Sequence, residues 1–402
     1  MTTDTRAVVI GGGIVGCSVA YHLARLGWTD TILVEQHDLT DGTTWHSAGF
    51  VTALRGVPAH RKLVSYYPAL ARVLAAETGR DAGWRPVGGL RLATTSARVD
   101  ELRRQAHAAE DAGIMMELRT ASSAAPLAPL LDLDGVQAAA WLPGDGFVRP
   151  KDASATLAEA AGALGVQVKK GVKVSGLKLN GKKIAGVTTS EGTIHADTVV
   201  LATGAATASL GHLAGAAVPV VPLKHQYAVT AAFDPALDPD KLPTVRDPDA
   251  NLYLRGAGGG LIIGGYATVP EPAWPTDGSA PLAEPRALFK PQSTEELAVA
   301  AAARVPGLPD IIKIVNGPEG FTPDGEPLIG ATEVPGLWVA AGMGLHGLGL
   351  AGGAGKCLAE LITAGQSEWD MQPFNPQRFG PFAHNRHWIT TRAVDAFQRT
   401  FR

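Results

Sequence analysis

A glycine-rich stretch close to the N-terminus constrains the fold of this chain more than any other feature. Residues 7–16 read AVVIGGGIVG, a β-branched run followed by the pattern G-x-G-x-x-G. Apolar residues then recur at helical spacing over 14–26, and residues 31–35 (TILVE) supply a second strand. Residues 7–35 therefore predict a strand–helix–strand unit, the element with which a Rossmann-like sheet begins.

The same unit predicts a site for a dinucleotide. Its glycines permit a tight turn, a close approach of the backbone to a pyrophosphate and close packing of the helix on the strands; they are Gly11, Gly13 and Gly16. The N-terminus of the following helix presents unpaired N–H groups to an anion. Glu35, at the end of the second strand, is an acceptor for the hydroxyls of a ribose. An ordinary tight turn between a strand and a helix is the alternative that the motif alone leaves open.

The composition excludes several other classes of protein. A net charge of −3 at pH 7 and a pI near 6.4 give no reason to expect nucleic acid as a partner. The two cysteines, Cys17 and Cys357, can form neither a disulfide framework nor a metal site, so no metal is expected. No leader sequence precedes the first strand, and no apolar run approaches the length of a transmembrane helix. We therefore expect a cytoplasmic protein with no membrane segment.

With 402 residues the chain is too long for one compact unit, so two domains are expected. Helices are expected within residues 60–113, at 152–164 and at 351–362, and a short basic helix is expected near the C-terminus. Strands are expected at 89–93, 166–174, 183–189, 198–201, 226–232, 252–255, 261–266 and 337–341. A proline-rich stretch, 270–291, is expected to cross the surface as a loop, and a glycine-rich turn is expected at 342–349.

Seven stretches together resemble the FAD domain of D-amino-acid-oxidase-like flavoproteins, in the branch of dimethylglycine dehydrogenase, dimethylglycine oxidase and sarcosine dehydrogenase. They are VVIGGGIVGCSVAYHLARLG, TTWHSAGF, GWRPVGGLRLATT, LPGDGFVRP, PLKHQYAVT, NGPEGFTPDGEPLIG and DMQPFNPQRFG. The resemblance implies an α/β plus α+β protein, with a Rossmann-like FAD-binding domain interwoven with a substrate-binding domain built on a large antiparallel sheet with helices. The FAD-binding domain would comprise residues 1–87, 147–221 and 321–402, and the substrate-binding domain residues 88–146 and 222–320.

His46, in GTTWHSAGF, is the residue that the resemblance joins covalently to the flavin. In that branch the histidine of the stretch T-W-H-x-A-G is bonded to the 8α-methyl carbon, and a neutral imidazole is a competent nucleophile near neutral pH. Monomeric sarcosine oxidases, which resemble the same fold, use a cysteine near a TPD motif instead. The corresponding stretch here, GPEGFTPD, contains no cysteine. The alternative is a histidine that only packs against a non-covalent flavin.

The resemblance also implies the other contacts to FAD. Val174 matches a residue whose backbone meets the adenine, and Gly204 ends a strand near the pyrophosphate. The turn before Ala351 would bring backbone donors towards the pyrimidine edge of the flavin. Its sequence, MGLHGLG, departs from the Asn-Ser-x-Gly type that the family leads us to expect. The remaining predicted contacts are Thr43, Thr44, Gly49, Gly347, Leu348 and Gly349.

Two residues match the pair that the resemblance places at the substrate nitrogen: His225 in PLKHQY and Tyr253 in NLYLR. Tyr253 lies on an expected strand and His225 directly precedes one, and the alternative for each is a sheet residue satisfied by its neighbours. A substrate carboxylate calls for an arginine; Arg55 and Arg255 are the candidates, with a surface salt bridge as the alternative role for each. His346 would stabilise the reduced flavin or touch the substrate, or it would serve only the structure.

Together these residues predict an FAD-dependent amine oxidoreductase. Hydride transfer to flavin N5 from a secondary or tertiary amine, such as dimethylglycine or sarcosine, would be followed by hydrolysis of the iminium and release of formaldehyde. O2 or an electron-transfer protein would reoxidise the flavin, and no folate site is expected in this chain. Two alternatives stay open: a flavin-binding subunit of a hetero-oligomeric sarcosine oxidase or imino-acid dehydrogenase, and a non-catalytic flavin-binding regulatory protein.

Overall fold

Two large sheets organise the chain in the computed structural model, which describes residues 2–234, 237–274 and 290–399. The strands in these ranges are β1 (Thr2–Asp4), β2 (Ala7–Ile10), β3 (Thr31–Val34), β4 (Phe50–Val51), β5 (Trp84–Arg85), β6 (Gly89–Ala93), β7 (Glu117–Arg119), β8 (Ala138–Leu142), β9 (Gly146–Val148), β10 (Gln167–Lys169), β11 (Val174–Asn180), β12 (Lys183–Thr189), β13 (Gly192–His195), β14 (Thr198–Leu201), β15 (Val221–Thr230), β16 (Thr244–Asp247), β17 (Leu252–Ala257), β18 (Gly260–Gly264), β19 (Ile311–Phe321), β20 (Leu328–Ala331) and β21 (Leu337–Ala341). The α-helices are α1 (Ile14–Arg25), α2 (Pro58–Thr78), α3 (Ser96–Asp111), α4 (Ala121–Ala124), α5 (Pro150–Ala163), α6 (Thr207–His212), α7 (Glu295–Arg304), α8 (Gly347–Ala364) and α9 (Arg386–Arg399). Within the described ranges, no helix combines the length and the apolar character needed to span a bilayer.

A six-stranded sheet forms the centre of the first part, in the order β10-β3-β2-β14-β21-β20, and only β20 runs antiparallel to its neighbour. Its strands β2, β3 and β14 are buried on both faces, as the apolar runs AVVI, TILV and TVVL require. Val9 and the residues on its face pack against α1, α2, α5 and α8. Val8 and the opposite face pack against the four-stranded sheet β1-β13-β12-β11. The predicted strand–helix–strand unit is thus β2, α1 and β3.

An eight-stranded sheet forms the second part, in the order β19-β15-β18-β17-β16-β6-β8-β7. Its neighbours are antiparallel except for β6 and β16, which run parallel. This is the large antiparallel sheet that was expected, with one parallel junction where two segments distant in the sequence meet without a connecting hairpin. The C-terminal helix α9 packs against β15 and β19.

Several strands and one helix begin or end at residues other than those predicted, because of turns or of pairing between distant segments. The expected strand 166–174 is interrupted because Gly171 has a φ of 73°, so β10 ends at Lys169 and β11 begins at Val174. β15 begins at Val221, before the expected start, because its first residues pair with the end of β19. α8 begins inside the expected glycine-rich turn. Most of the expected surface loop 270–291 lies outside the described residues.

Candidate cofactor and substrate site

The glycine-rich turn between β2 and α1 brings two pieces of backbone into close contact. Gly11 has a φ of 109°, and a Cβ at this position would lie 2.5 Å from the carbonyl oxygen of Ala202, just after β14. A Cβ on Gly16 would lie 1.9 Å from the carbonyl oxygen of Gly11. Both positions therefore require glycine, and the turn presents the N-terminus of α1 to the space beside it.

Glu35, just after β3, closes this turn and is almost fully buried. Its Oε2 accepts a hydrogen bond from the N–H of Gly12 at 2.7 Å, and its Oε1 accepts one from the N–H of His37 at 2.9 Å. These bonds fix the carboxylate at the edge of a cavity. Its remaining lone pairs are available there to the hydroxyls of a ribose.

A 3₁₀ helix, Thr43–His46, lies between α1 and the eight-stranded sheet. Thr44 Oγ1 accepts a hydrogen bond from the N–H of Ile14 at 3.1 Å, which satisfies one of the first-turn donors of α1. Thr43 Oγ1 donates to the carbonyl oxygen of Pro318 in β19 at 2.8 Å. The GTTWHSAGF stretch is thereby tied to α1 on one side and to β19 on the other.

These elements surround a cavity of about 510 Å³, hereafter the larger cavity. Its walls come mainly from the ends of parallel strands and the turns that follow them, where α/β sheets bind their ligands. A glycine cradle, a helix N-terminus and a buried acceptor for ribose hydroxyls fit the adenosine and pyrophosphate of FAD. The predicted cofactor contacts that line it are Gly11, Gly13, Glu35, Thr43, Thr44, Val174, Gly204, Gly347 and Leu348.

The other four predicted cofactor residues do not line the larger cavity. Gly16 packs α1 against the turn, as above. Gly49 lines a second cavity instead. Gly349 lies on the side of α8 that faces α2, where a Cβ would be 3.6 Å from a methyl group of Val64. The fourth is His46.

His46 is 5% exposed and lines neither of the two cavities. Its ring packs against β19, since a Cβ on Gly317 would lie 2.4 Å from His46 Nε2. This nitrogen has no hydrogen-bond partner among the described residues. Burial lowers the pKa of His46 to about 4. The imidazole is therefore neutral at pH 7, and its Nε2 is uncommitted.

His225 on β15 and Tyr253 on β17 form a hydrogen-bonded pair, with 2.9 Å between Nε2 and the phenolic oxygen. The strand between them, β18, contributes Gly264, where a Cβ would lie 2.2 Å from Tyr253 Cζ. The tyrosine ring crosses this strand because Gly264 has no side chain. Burial lowers the pKa of His225 to about 4 and raises that of Tyr253 well above its ordinary value. Near pH 7 the pair is a neutral imidazole and a neutral phenol.

A second, narrower cavity of about 30 Å³ adjoins this pair. Three residues, Ser47, Glu319 and Leu345, line both cavities, so the two cavities meet there. A cofactor in the larger cavity and a small molecule in the narrower one would touch at this junction. The narrower cavity is lined by Ser47, Ala48, Gly49, Phe50, His225, Arg246, Tyr253, Tyr266, Glu319, Leu345 and His346.

Arg55 and His346 form a second pair. Arg55 Nη1 donates to His346 Nε2 at 3.0 Å, which requires a neutral imidazole because an arginine only donates. Burial, reinforced by the charge of Arg55, lowers the pKa of His346 well below its ordinary value. The Nε and Nη2 atoms of Arg55 are buried and have no hydrogen-bond partner in the part of the chain that the structure describes.

Arg255 lines neither of the two cavities and instead supports the backbone beside them. Its Nε donates to the carbonyl oxygen of Ala48 at 2.5 Å, and its Nη1 donates to that of Gly256 at 2.6 Å. Its guanidinium carbon lies 4.3 Å from the centre of the Phe147 ring. Arg255 therefore fixes the backbone that follows His46.

Three titratable side chains of the narrower cavity are absent from the sequence candidates: Arg246, Tyr266 and Glu319. Glu319 is 5% exposed, its Oε2 has no partner among the described residues, and burial raises its pKa to about 8. The one sequence signal for Glu319 is that it is the single acidic residue in the stretch NGPEGF. Arg246 pairs across strands with Tyr253, a position that no local pattern reveals.

The fold and the larger cavity define a protein that binds a dinucleotide at the carboxyl ends of a parallel sheet. The chain belongs to the family of FAD dependent oxidoreductases (DAO), whose model matches residues 6–361. This confirms the predicted resemblance, the predicted fold class and the prediction of an FAD-dependent oxidoreductase.

Curated relatives match the whole or nearly the whole of this chain. It is 35% identical over 406 residues to 4-methylaminobutanoate oxidase (formaldehyde-forming) of Paenarthrobacter nicotinovorans, covering 100% of the chain and 49% of the relative. It is 33% identical over 411 residues to mitochondrial sarcosine dehydrogenase of Homo sapiens, covering 100% and 44%. It is 32% identical over 400 residues to the mitochondrial pyruvate dehydrogenase phosphatase regulatory subunit of Mus musculus, covering 98% and 45%. The chain therefore spans about half the length of the curated relatives it matches.

A solved structure shows the same fold over nearly the full length of both chains. The crystal structure of L-proline dehydrogenase from P. horikoshii superposes with a TM-score of 0.82 at 26% identity. It covers 94% of this chain and 98% of the other. The arrangement of the two large sheets is thus shared with a solved member of the same fold.

Proposed function

We propose that this chain oxidises the C–N bond of an N-methylated secondary or tertiary amine, with FAD in the larger cavity and the amine in the narrower one. The observation that carries the proposal is the His225–Tyr253 pair, which is neutral near pH 7 and lines the cavity that meets the larger one. Two relatives support the substrate class, because they are named for the oxidation of 4-methylaminobutanoate and of sarcosine.

The proposed chemistry assigns the pair a role at the substrate nitrogen. FAD, when bound, supplies an acceptor for a hydride. An amine releases a hydride readily only when its nitrogen is unprotonated, since the lone pair stabilises the iminium that forms. A neutral His225 and the hydroxyl of Tyr253 can hold such a nitrogen by hydrogen bonds without adding positive charge beside it. Water then adds to the iminium carbon, the C–N bond breaks, and formaldehyde and the demethylated amine are released.

The test is turnover of N-methyl amines by the FAD-loaded protein, followed by the formaldehyde that is released. One arm of the experiment is run in air and the other with an artificial electron acceptor. The two arms distinguish O2 from an electron carrier as the oxidant of the flavin. His225→Ala is expected to slow flavin reduction about 100-fold without loss of bound flavin, and His195→Ala, on the peripheral β13, serves as the control. Binding of FAD with no turnover of any amine would contradict the proposal and favour a regulatory role, for which the mouse relative is named.

We also propose that the flavin is attached covalently through His46. Three observations support this: the imidazole is neutral, its Nε2 is uncommitted, and the two threonines before it tie its segment to the edge of the larger cavity. Acid-denatured wild-type protein should keep its yellow colour, and His46→Ala should release it. His37→Ala, which changes a histidine that does line the larger cavity, should keep the colour. Release of free flavin from the wild type would contradict the attachment.

A further inference from the structure

Glu319 is a buried acid in the wall between the two cavities. It lies on β19, lines both the larger and the narrower cavity, and is 5% exposed. Its Oε2 is shielded from solvent and has no hydrogen-bond partner among the described residues. Ser47 and Leu345, which also line both cavities, do not titrate between acid and alkaline pH. Among the described residues, Glu319 is therefore the one titratable side chain that a ligand in either cavity would meet.

The backbone on both sides of Glu319 is fixed. β19 pairs with β15 along its whole length. The carbonyl oxygen of Pro318 accepts the hydrogen bond from Thr43 Oγ1 at 2.8 Å. On the other side, a Cβ on Gly320 would lie 2.9 Å from Val220 Cγ1, so the two strands and the segment before them are in close contact. The carboxyl of Glu319 is therefore held at the junction of the two cavities.

The groups that surround this carboxyl provide no compensating cation. Helix α9 packs against β15 and β19 with apolar side chains. Arg246 is the cation that lines the narrower cavity, but within the described residues no ion pair joins it or another basic side chain to Glu319. Burial lowers the pKa of the surrounding histidines and raises that of the surrounding tyrosines, so all are neutral near pH 7; they are His46, His225, His346, Tyr227, Tyr253 and Tyr266.

A buried carboxyl without a cation keeps its proton. Burial raises the pKa of Glu319 to about 8, so near pH 7 the group is a neutral acid that can donate a hydrogen bond into either cavity. Flavins gain negative charge when two electrons and one proton are added. A carboxylate beside that charge would oppose reduction, whereas a neutral acid does not. By linkage, reduction must in turn strengthen the binding of the proton to Glu319.

We propose that Glu319 is a proton-binding residue of the flavin site, which favours reduction of the flavin while it is protonated and opposes reduction once it is ionised. The inference rests on FAD in the larger cavity, as proposed above, and not on the amine. Above about pH 8, the flavin takes two electrons and one proton, and a second proton from solvent bonds to the carboxylate oxygen of Glu319. Below that pH the carboxyl already holds its proton, and only the proton of the flavin is taken up.

The test is the midpoint potential of the FAD-loaded protein, measured anaerobically against a reference dye from about pH 6.5 to about pH 9.5 with no amine present. In the wild type, the potential should fall with pH about twice as steeply above pH 8 as below it, because two protons instead of one accompany the two electrons. Glu319→Gln keeps the size of the side chain and a hydrogen-bond donor but cannot ionise. It should show the shallower slope throughout.

The absorption spectrum of the oxidised flavin provides a second measurement in the same samples. In the wild type it should shift with a midpoint near pH 8, and in Glu319→Gln this shift should be absent. Glu319→Asp keeps a titrating carboxyl and should retain two slopes. Asp197→Asn, which removes an exposed carboxylate paired with Lys183, is the control and should behave as the wild type does.

A single slope in the wild type, or two slopes that persist in Glu319→Gln, would overturn the proposal. The wild-type measurement decides by itself if a variant does not fold. Two slopes that disappear in Glu319→Gln, in a protein that oxidises no amine, would refute the proposed amine oxidation alone. Amine oxidation by a protein with a single slope would refute the present inference alone.

Discussion

Replacing Gly264 with alanine is expected to displace the ring of Tyr253 while leaving its hydroxyl group in place on the side chain. The added Cβ would lie 2.2 Å from Tyr253 Cζ and 2.3 Å from its phenolic oxygen, whereas ordinary van der Waals contact begins at 3.4 Å. The ring must move away by about 1.2 Å, the difference between the 2.2 Å distance to Cζ and the 3.4 Å of ordinary contact. That movement displaces the phenolic oxygen from its present position 2.9 Å from His225 Nε2 and spoils the geometry of the bond. Misplacement on this scale costs about 100-fold in rate, and overpacking costs about 1–3 kcal/mol of stability.

The assay is anaerobic stopped-flow reduction of the bound flavin by a saturating N-methyl amine. Gly264→Ala should reduce flavin about 100-fold more slowly than wild type while it still binds FAD, and Tyr253→Phe should show a similar loss without the overpacking. Gly176→Ala in β11 is the matched control, because its Cβ would meet Thr188 at an ordinary 3.6 Å. An unchanged rate in folded, FAD-loaded Gly264→Ala would refute the role of the pair.

Three further changes have expected outcomes. Gly317→Ala places a Cβ 2.4 Å from His46 Nε2 and should abolish covalent attachment while FAD still binds; denatured protein that stays yellow would contradict this. Arg255→Met removes two charge-assisted bonds to backbone carbonyls and should lower the free energy of unfolding by about 3 kcal/mol in urea titrations; a loss below about 0.5 kcal/mol would be inconsistent with a supporting role. Burial raises the pKa of Glu319 to about 8, so below that pH the carboxyl must lose a proton before it can pair with a cation. Affinity for glycine betaine methyl ester, a small cation without a carboxylate, measured by calorimetry, should therefore rise about tenfold per pH unit up to about pH 8 and then level off, and the same slope in Glu319→Gln would exclude this residue as its source.

The dinucleotide site was largely predictable because its signals are local. The turn, the helix and Glu35 all fall within residues 7–35, and each has a distinct pattern in the sequence. The interruption at Gly171 was not predictable, because a glycine within an apolar run is compatible with both a strand and a turn.

The substrate side depended on contacts between segments far apart in the chain. In the sequence, Gly264 looks like any other glycine in a strand. Only the structure shows that the ring of Tyr253, from another strand, lies across it. Arg246 and Arg255 each follow an apolar residue in a strand. The guanidinium of Arg246 nevertheless lines the narrower cavity, whereas that of Arg255 binds backbone carbonyls. Nothing local to either arginine determines which partner it meets, so these roles required the three-dimensional arrangement.

The most direct test of the central claim is the stoichiometry of a single anaerobic turnover. FAD-loaded wild-type protein is titrated with sarcosine and, separately, with dimethylglycine, and flavin absorbance and formaldehyde are measured in the same sample. If the chain oxidises the C–N bond of N-methyl amino acids, the flavin is bleached and one formaldehyde forms for each flavin reduced. Flavin that stays oxidised across a panel of N-methyl amino acids, or bleaching without formaldehyde, would contradict the claim.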